Sequence, residues 1–178
     1  MSILSVFHLY TPELPNKVLT HHDDIAATLA EQGVRLERCT DELRIRPGTA
    51  HEQVLAECHG LLDQLMTTHG SVAFGLLNRD GLDPSQADLR DEHVHEAVEV
   101  FAVIGGRGQV SLRLGDYVYA VLCEKGDVLV IPAGVRRWVD LGDNPFCLAL
   151  RLFGSELGMQ PQFTGDSTAR QFAGMDEL

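Results

Sequence analysis

The chain has 178 residues, with 26 Asp and Glu against 14 Lys and Arg, and a formal net charge of −12. This length suffices for one domain with a hydrophobic core, and we expect a single domain over residues 1–178. An acidic surface repels phosphate backbones and anionic lipid, which argues against nucleic acid and membrane surfaces as partners. No run approaches the roughly 20 apolar residues that span a bilayer. The four cysteines form no CxxC pair, so we expect free thiols and a cytoplasmic protein.

The first part of the chain, residues 1–70, mixes strand and helix patterns. Apolar residues at helical spacing predict two helices, and alternating residues predict short strands. Thr49 and Glu52 have the spacing of a capping box, in which each side chain bonds the backbone at the start of a helix. The predicted elements are a strand at 2–10, a helix capped by Asp23 or Asp24 and stopped by Gly33, a strand at 34–39, and a helix ending near His69-Gly70.

From about residue 71 to 155 the pattern changes to short β-strands. Glycine- and proline-containing turn signals separate most of the runs, including one at Gly105-Gly106. Many short, evenly spaced strands predict a closed barrel or jelly roll, followed by a C-terminal tail over 156–178. The predicted strands are 71–77, 93–104, 109–114, 117–123, 127–131, 136–141 and 146–153.

The segment from His93 to Glu99 contains a candidate metal site. Side chains alternate faces along a strand, so His93, His95 and Glu99 are predicted to point the same way, with the small Ala97 between them. Two imidazoles and one carboxylate match the facial triad of non-haem Fe(II) oxygenases, which leaves positions open for substrate and O₂. The competing interpretation is that two histidines spaced by two on a strand are ordinary surface residues.

A second sequence block supports the metal interpretation. Glu99 is followed after six residues by Gly106, and Gly126, Pro132 and Gly134 have the spacing of the second block of cupins. The chain therefore resembles cupins in both blocks. The resemblance implies a mainly β fold, a cupin double-stranded β-helix (jelly-roll) barrel with a few N-terminal helices.

More specific blocks resemble the acireductone dioxygenase family. They hold in order and spacing from about residue 2 to 172. The blocks are GVRLER (33–38), EHVHEAVEV (92–100), VLCEKGD (121–127), PAG (132–134) with Trp138, ALRLF (149–153) and QFTGD (162–166).

This resemblance implies a function and a ligand set. The family binds Fe(II) or Ni(II) through three His and one Glu, and it cleaves a C–C bond of an enediol-type acireductone with O₂. His93, His95 and Glu99 match three of the ligands. Glu92 matches an acid near the metal, and Arg151 matches an arginine that faces the pocket and can contact an anionic substrate. We expect Fe(II), with Ni(II) as the alternative, a small-molecule substrate, and a monomer or homodimer.

The sequence departs from the family at the predicted pocket. Arg137 stands at the fourth ligand position, and a guanidinium has no lone pair to offer a metal. Phe101 replaces an arginine, and Met159 replaces a tryptophan. We expect Phe101, Trp138 and Met159 to line the substrate pocket, although Trp138 is equally compatible with a core position.

Three consequences of Arg137 are open at the level of sequence. The triad can hold the metal while Arg137, with Arg151, orients an anionic substrate. Alternatively, Arg137 can pair with Glu99 and compete with a metal, which would make the protein a metal-free cupin for binding or non-redox chemistry. In the third case the usual reaction survives with weaker metal binding, because one ligand of four is lost.

Overall fold

The computed structural model describes residues 1–40, 42–86 and 88–177, and these form eleven strands and two α-helices. The mainly β architecture agrees with the predicted fold class. The strands are β1 (Ile3–His8), β2 (Lys17–Leu19), β3 (Arg35–Arg38), β4 (Ala73–Asp80), β5 (His93–Val94), β6 (Glu99–Leu114), β7 (Tyr117–Glu124), β8 (Asp127–Ile131), β9 (Arg136–Asp140), β10 (Phe146–Phe153) and β11 (Gln162–Phe163). The helices are α1 (His22–Ala30) and α2 (His51–His69).

The long strand β6 belongs to both halves of the barrel. Its first residues pair with β8 and β10, and β4 and β3 extend that half at its two edges. Its last residues pair with β7 and β9, and β1, β2, β5 and β11 complete the second half. The strands enclose a buried apolar cluster that includes Phe101, Val103 and Leu129.

The predicted turn at Gly105-Gly106 is wrong, because both glycines lie within β6. The strand passes there from one half of the barrel to the other, and the pairing with β10 shifts by one residue between Leu148 and Ala149. A Cβ on Gly106 would lie 1.9 Å from the carbonyl oxygen of Phe146, and φ at Gly106 is +67°. Only glycine allows this close approach of two strands.

The helix α2 covers the outer face of the first half of the barrel. Val54, Cys58 and Leu62 pack there against apolar residues of β10 and β8. The helix ends at Gly70, whose φ of +65° is the left-handed conformation expected of a glycine that terminates a helix. The predicted end of this helix is therefore confirmed.

The predicted helix starts are wrong in detail. The residue before α2 is Ala50, which makes no side-chain capping bond, and the hydroxyl of Thr49 donates to the carbonyl oxygen of Arg46 at 2.6 Å instead. The residue before α1 is His21, again without a side-chain cap, and Asp23 lies inside the first turn. A carboxylate there still interacts favourably with the positive end of the helix dipole.

The C-terminal tail packs against the outer face of the second half of the barrel. Phe172 lies against Trp138 and Phe7, with ring centroids 5.9 and 5.6 Å apart. These three residues form part of a separate small buried cluster. Within the described residues, neither helix is long and apolar enough to cross a membrane.

Candidate metal centre

The predicted ligand segment is not one continuous strand. β5 ends at Val94, β6 begins at Glu99, and the residues between them bend. Ala97 is buried in this bend and lies against Gly158 of the C-terminal tail. The simple alternation that predicted a common direction for the three side chains is therefore interrupted between His95 and Glu99.

The two histidines are held in defined tautomers by backbone carbonyls. Nδ1 of His93 lies 2.8 Å from the carbonyl oxygen of Asp91, and Nδ1 of His95 lies 2.8 Å from that of Gly158. Because a carbonyl only accepts, each Nδ1 carries the hydrogen and each Nε2 keeps its lone pair. Nε2 of His93 is buried without a hydrogen-bond partner among the described residues. Nε2 of His95 accepts from Nη2 of Arg151 at 3.3 Å.

Both imidazoles are buried and neutral at ordinary pH. Burial lowers the pKa of His93 to about 4, because the charged form loses its water. Burial also lowers the pKa of His95, against the opposing attraction of Glu99. The ring centroids of His93 and His95 lie 5.4 Å apart. Neutral imidazoles bind metals through a free ring-nitrogen lone pair, which Nε2 of His93 has, whereas Nε2 of His95 is engaged by Arg151.

The carboxylate of Glu99 is bound by two arginines. Nη1 of Arg137 donates to its Oε1 at 3.0 Å, and Nε of Arg151 donates to its Oε2 at 2.7 Å. Burial alone would raise the pKa of Glu99, but the two cations outweigh burial and lower this pKa to about 2. Glu99 is therefore ionised, and both of its oxygens are engaged.

Arg137 is a fully buried cation, with 1% of its surface exposed. Residue 137 lies opposite His93 in the pairing of β5 with β9, which brings its guanidinium into the centre. Nε donates to the carbonyl oxygen of Val135 at 3.0 Å and Nη2 to that of Pro132 at 3.1 Å. The guanidinium therefore contacts Glu99 as in the second of the three alternatives open from the sequence.

The chemical types of these donor groups suit a divalent metal, but the positions of the groups in the structure do not. Two neutral imidazoles and an ionised carboxylate are suitable donors. Yet no three His, Cys, Asp or Glu side chains of the described residues form a group that could hold a metal ion. Arg137 and Arg151 engage the oxygens that Glu99 would offer. A metal could use Glu99 only if at least one guanidinium moved away, and it could use Nε2 of His95 only if Arg151 released that atom.

Glu92 is buried next to the two histidines in sequence, but its carboxylate does not bond them. It accepts bonds from Arg113 on β6, Arg136 on β9 and Thr164 of the C-terminal tail.

Phe101 and Met159, two of the predicted pocket residues, lie near Arg151. Phe101 is buried and is the partner of Arg151 in the pairing of β6 with β10. The side chain of Met159 reaches Gly75, which is the partner of Arg151 on β4.

The predicted pocket role of Trp138 is wrong. Trp138 follows Arg137 on β9, so its side chain points to the opposite face of the strand. It packs in the outer cluster with Phe172, away from Glu99. The alternative of a core aromatic is the one that the structure shows.

Several contributors to the site were missed by reasoning from the sequence. The carbonyl groups of Asp91 and Gly158 set the histidine tautomers, and no side-chain pattern indicates which carbonyl is used. The ring of Phe153 lies 5.0 Å from that of His95 and under the guanidinium of Arg151. The alternation of β10 could have identified Phe153, since it lies two residues after Arg151.

Barrel and side chains together define a cupin with a candidate metal centre in its interior. The chain matches the model of the ARD/ARD' family over residues 20–161, and it belongs to this family. It is 45% identical to an acireductone dioxygenase of Pseudomonas fluorescens strain Pf-5, over 99% of this chain and 100% of that protein. An acireductone dioxygenase of Stutzerimonas stutzeri strain A1501 is 44% identical over the same shares.

A solved structure has the same fold. It is an acireductone dioxygenase from Bacillus anthracis with a cadmium ion in its active centre. The TM-score is 0.72 at 20% identity, and the match covers 92% of this chain and 98% of that one. This structure shows the shared fold, while the sequence matches show that the chain is a member of the acireductone dioxygenase family, as the resemblance at the level of sequence implied.

Proposed function

We propose that the chain is a dioxygenase that uses O₂ on a small anionic enediol, with a divalent metal held by His93, His95 and Glu99. Fe(II) is the proposed metal and Ni(II) the alternative. The observation that carries the proposal is the pair of buried imidazoles whose Nδ1 hydrogens are bound by backbone carbonyls. A buried Nε2 without a partner, as in His93, is costly unless something binds it.

The two arginines would then have a second role. When Arg137 leaves Glu99, its guanidinium can bind an anionic group of the substrate. Arg151 would have to release Nε2 of His95 for the metal, and it can still keep Glu99 oriented through its Nε bond. The bound metal would supply a shared binding point for the enediolate and O₂ and a path for electrons. The nearly complete burial of His93, His95 and Glu99 would exclude water from the reacting atoms.

A second candidate function is favoured by the same contacts of Glu99. With both oxygens engaged by arginines, the chain could be a metal-free cupin that binds an anion or performs non-redox chemistry. The two candidates predict different affinities for a metal, because a third ligand is available only in the first.

Metal titration of the purified protein distinguishes the two candidates. After treatment with a chelator, the protein is titrated with Fe(II) without oxygen, and bound iron is measured. We expect about one iron per chain, loss of binding in His93→Ala, and binding at least tenfold tighter in Arg137→His, which restores a fourth ligand. His51→Ala, on the exposed start of α2, is the matched control and should bind as the parent does.

The outcome against the first candidate is equally definite. If the parent binds neither Fe(II) nor Ni(II), and His93→Ala binds small anions as the parent does, the metal-free function is supported and the first candidate is rejected. If the protein binds metal but takes up no O₂ when it is given an acireductone-type enediol, the proposed substrate is wrong and the proposed metal site still stands.

The same proposal includes a cytoplasmic location and a monomer or homodimer. All four cysteines are free, and Cys58, Cys123 and Cys147 are buried. Unpaired thiols are typical of a reducing compartment. Fractionation of cells and light scattering of the purified protein test the two statements.

A further inference from the structure

A cavity of about 390 Å³ lies where β4 and β9 meet the loops that follow them. Apolar side chains form much of its wall, and the volume is within the range of small-molecule pockets. The apolar wall residues are Leu77, Leu82, Leu89, Val139 and Leu141.

Arg79 also lines this cavity, and its guanidinium has few hydrogen-bond partners there. Its hydrogen bond is from Nη1 to the carbonyl oxygen of Asn78 at 3.3 Å, although a guanidinium has five donors. Within the described part of the chain, no carboxylate oxygen lies within 4 Å of its nitrogens. Burial lowers the pKa of Arg79, against the attraction of Asp83, as expected for a cation that has lost part of its water.

The acidic side chains at the rim are engaged elsewhere or point to solvent. Both carboxylate oxygens of Asp83 accept bonds from Ser85 and Gln86. Asp88 is paired with Arg170 at 3.3 Å. Asp143 is exposed at the rim, where water and salt screen its charge. Arg90 adds a second cation to the wall, 3.9 Å from Asp140.

The cavity is separated from the candidate metal centre. Arg79 lies four residues along β4 from Gly75, the strand partner of Arg151, a distance of about 13 Å at the rise of a β-strand. Buried side chains of one apolar cluster fill the barrel between them, among them Phe101 and Ala149. The charge of Arg151 still contributes to the lowered pKa of Arg79, but the arginines that bond Glu99 are Arg137 and Arg151.

We infer that this cavity binds a small amphipathic carboxylate, with its apolar body against Leu77, Val139 and Leu141 and its carboxylate on Arg79. A planar guanidinium can bind both oxygens of a carboxylate, and an apolar wall gains from covering an aliphatic chain. The inference goes beyond the proposed function, since it holds whether or not the candidate centre takes a metal.

Hexanoate and 1-hexanol are matched probes that differ in the anionic group. The protein, kept in chelator, is titrated with each while the methyl NMR signals of its leucines and valines are followed. We expect hexanoate to bind at least tenfold more tightly than hexanol and to shift the signals of Leu77, Val139 and Leu141. Arg79→Gln should remove this preference, Arg79→Lys should keep part of it, and Arg44→Gln, an exposed arginine elsewhere, should leave it unchanged.

Three results would overturn the inference. One is the absence of hexanoate binding up to about 20 mM, a weak limit for any specific ligand. Another is equal affinity for the two probes. The third is a preference that survives in folded Arg79→Gln but is lost in Arg151→Gln, which would place the anion at Arg151. Because all arms use metal-free protein, none of them depends on the outcome of the iron titration.

Discussion

At the scale of single residues, the charge of the candidate centre decides what it can bind. Glu99 carries one negative charge, while Arg137 and Arg151 carry two positive ones within hydrogen-bond reach. A divalent metal added to this arrangement would meet an excess of positive charge in a buried site, where such repulsion is weakly screened. An anionic substrate that drew Arg137 away would relieve the repulsion. Metal and substrate are therefore expected to bind cooperatively in this chain.

The buried histidine makes the metal-free protein sensitive to acid. In the folded chain the pKa of His93 is about 4, against 6.5 for an ordinary histidine, so between these pH values only the unfolded chain takes up the proton. Unfolding is then favoured as the pH falls. We expect the free energy of unfolding to be about 2 kcal/mol lower at pH 5 than at pH 7.5 from this group, measured by urea denaturation in chelator.

Substitution of the histidine isolates its share of that effect. Glu99 acts in the same direction at lower pH, because its folded pKa of about 2 lies below the usual 4.5, and its stabilisation is lost as the pH falls through that range. His93→Gln should flatten the slope between pH 7.5 and 5, and His51→Gln should not. An equal slope in parent and His93→Gln would show that His93 does not resist protonation in the folded chain.

At the scale of elements, Glu92 holds the short strand β11 against the barrel. Its buried carboxylate accepts from Arg113 at 3.1 Å and Arg136 at 3.2 Å, on β6 and β9, and from the hydroxyl of Thr164 at 2.8 Å. Phe163 pairs with His93, and their ring centroids lie 5.6 Å apart. Glu92 thus positions one wall of the candidate centre through the tail.

Replacement of this carboxylate should loosen the tail. Glu92→Gln removes the buried carboxylate while Arg113 and Arg136 keep Asp166 as a partner, and we expect a loss of roughly 1–3 kcal/mol in the free energy of unfolding. Amide hydrogen exchange should accelerate most at residues 162–166. Glu57→Gln, at an exposed glutamate of α2 whose carboxylate accepts a bond from the exposed Gln53, is the matched control and should cost under about 1 kcal/mol. Unchanged exchange at 162–166 in Glu92→Gln would contradict the positioning role.

Local patterns predicted the elements whose causes are local. The strand β8 has the predicted bounds, Asp127 to Ile131, because its run is short and bounded by turn residues. The bend after Val94 was not predicted, since it depends on packing of Ala97 against the distant Gly158. The direction of Arg137 was left open for a similar reason: it depends on carbonyl groups of Pro132 and Val135 whose positions are fixed by the barrel.

At the scale of the whole molecule, Gly106 connects the two halves of the barrel. β6 is shared by both, and its change of partner occurs where Gly106 approaches the backbone of Phe146. A methyl group there would overlap the carbonyl oxygen of Phe146. To relieve the overlap, β6 and β10 would have to separate, which would break hydrogen bonds between them. The cost should exceed that of the left-handed conformation alone, which is about 1–2 kcal/mol for an alanine.

Gly115 provides a control with the same conformation and open space. Its φ is +61°, and nothing lies within 4 Å of a Cβ built on it. We expect Gly115→Ala to cost about 1 kcal/mol, and Gly106→Ala to cost at least about 3 kcal/mol because overlap adds to strain. Urea denaturation, followed by far-ultraviolet circular dichroism and by Trp138 fluorescence, measures both. Equal costs in the two variants would mean that the strands separate at Gly106 with little loss, and that the two halves of the barrel are not coupled through β6.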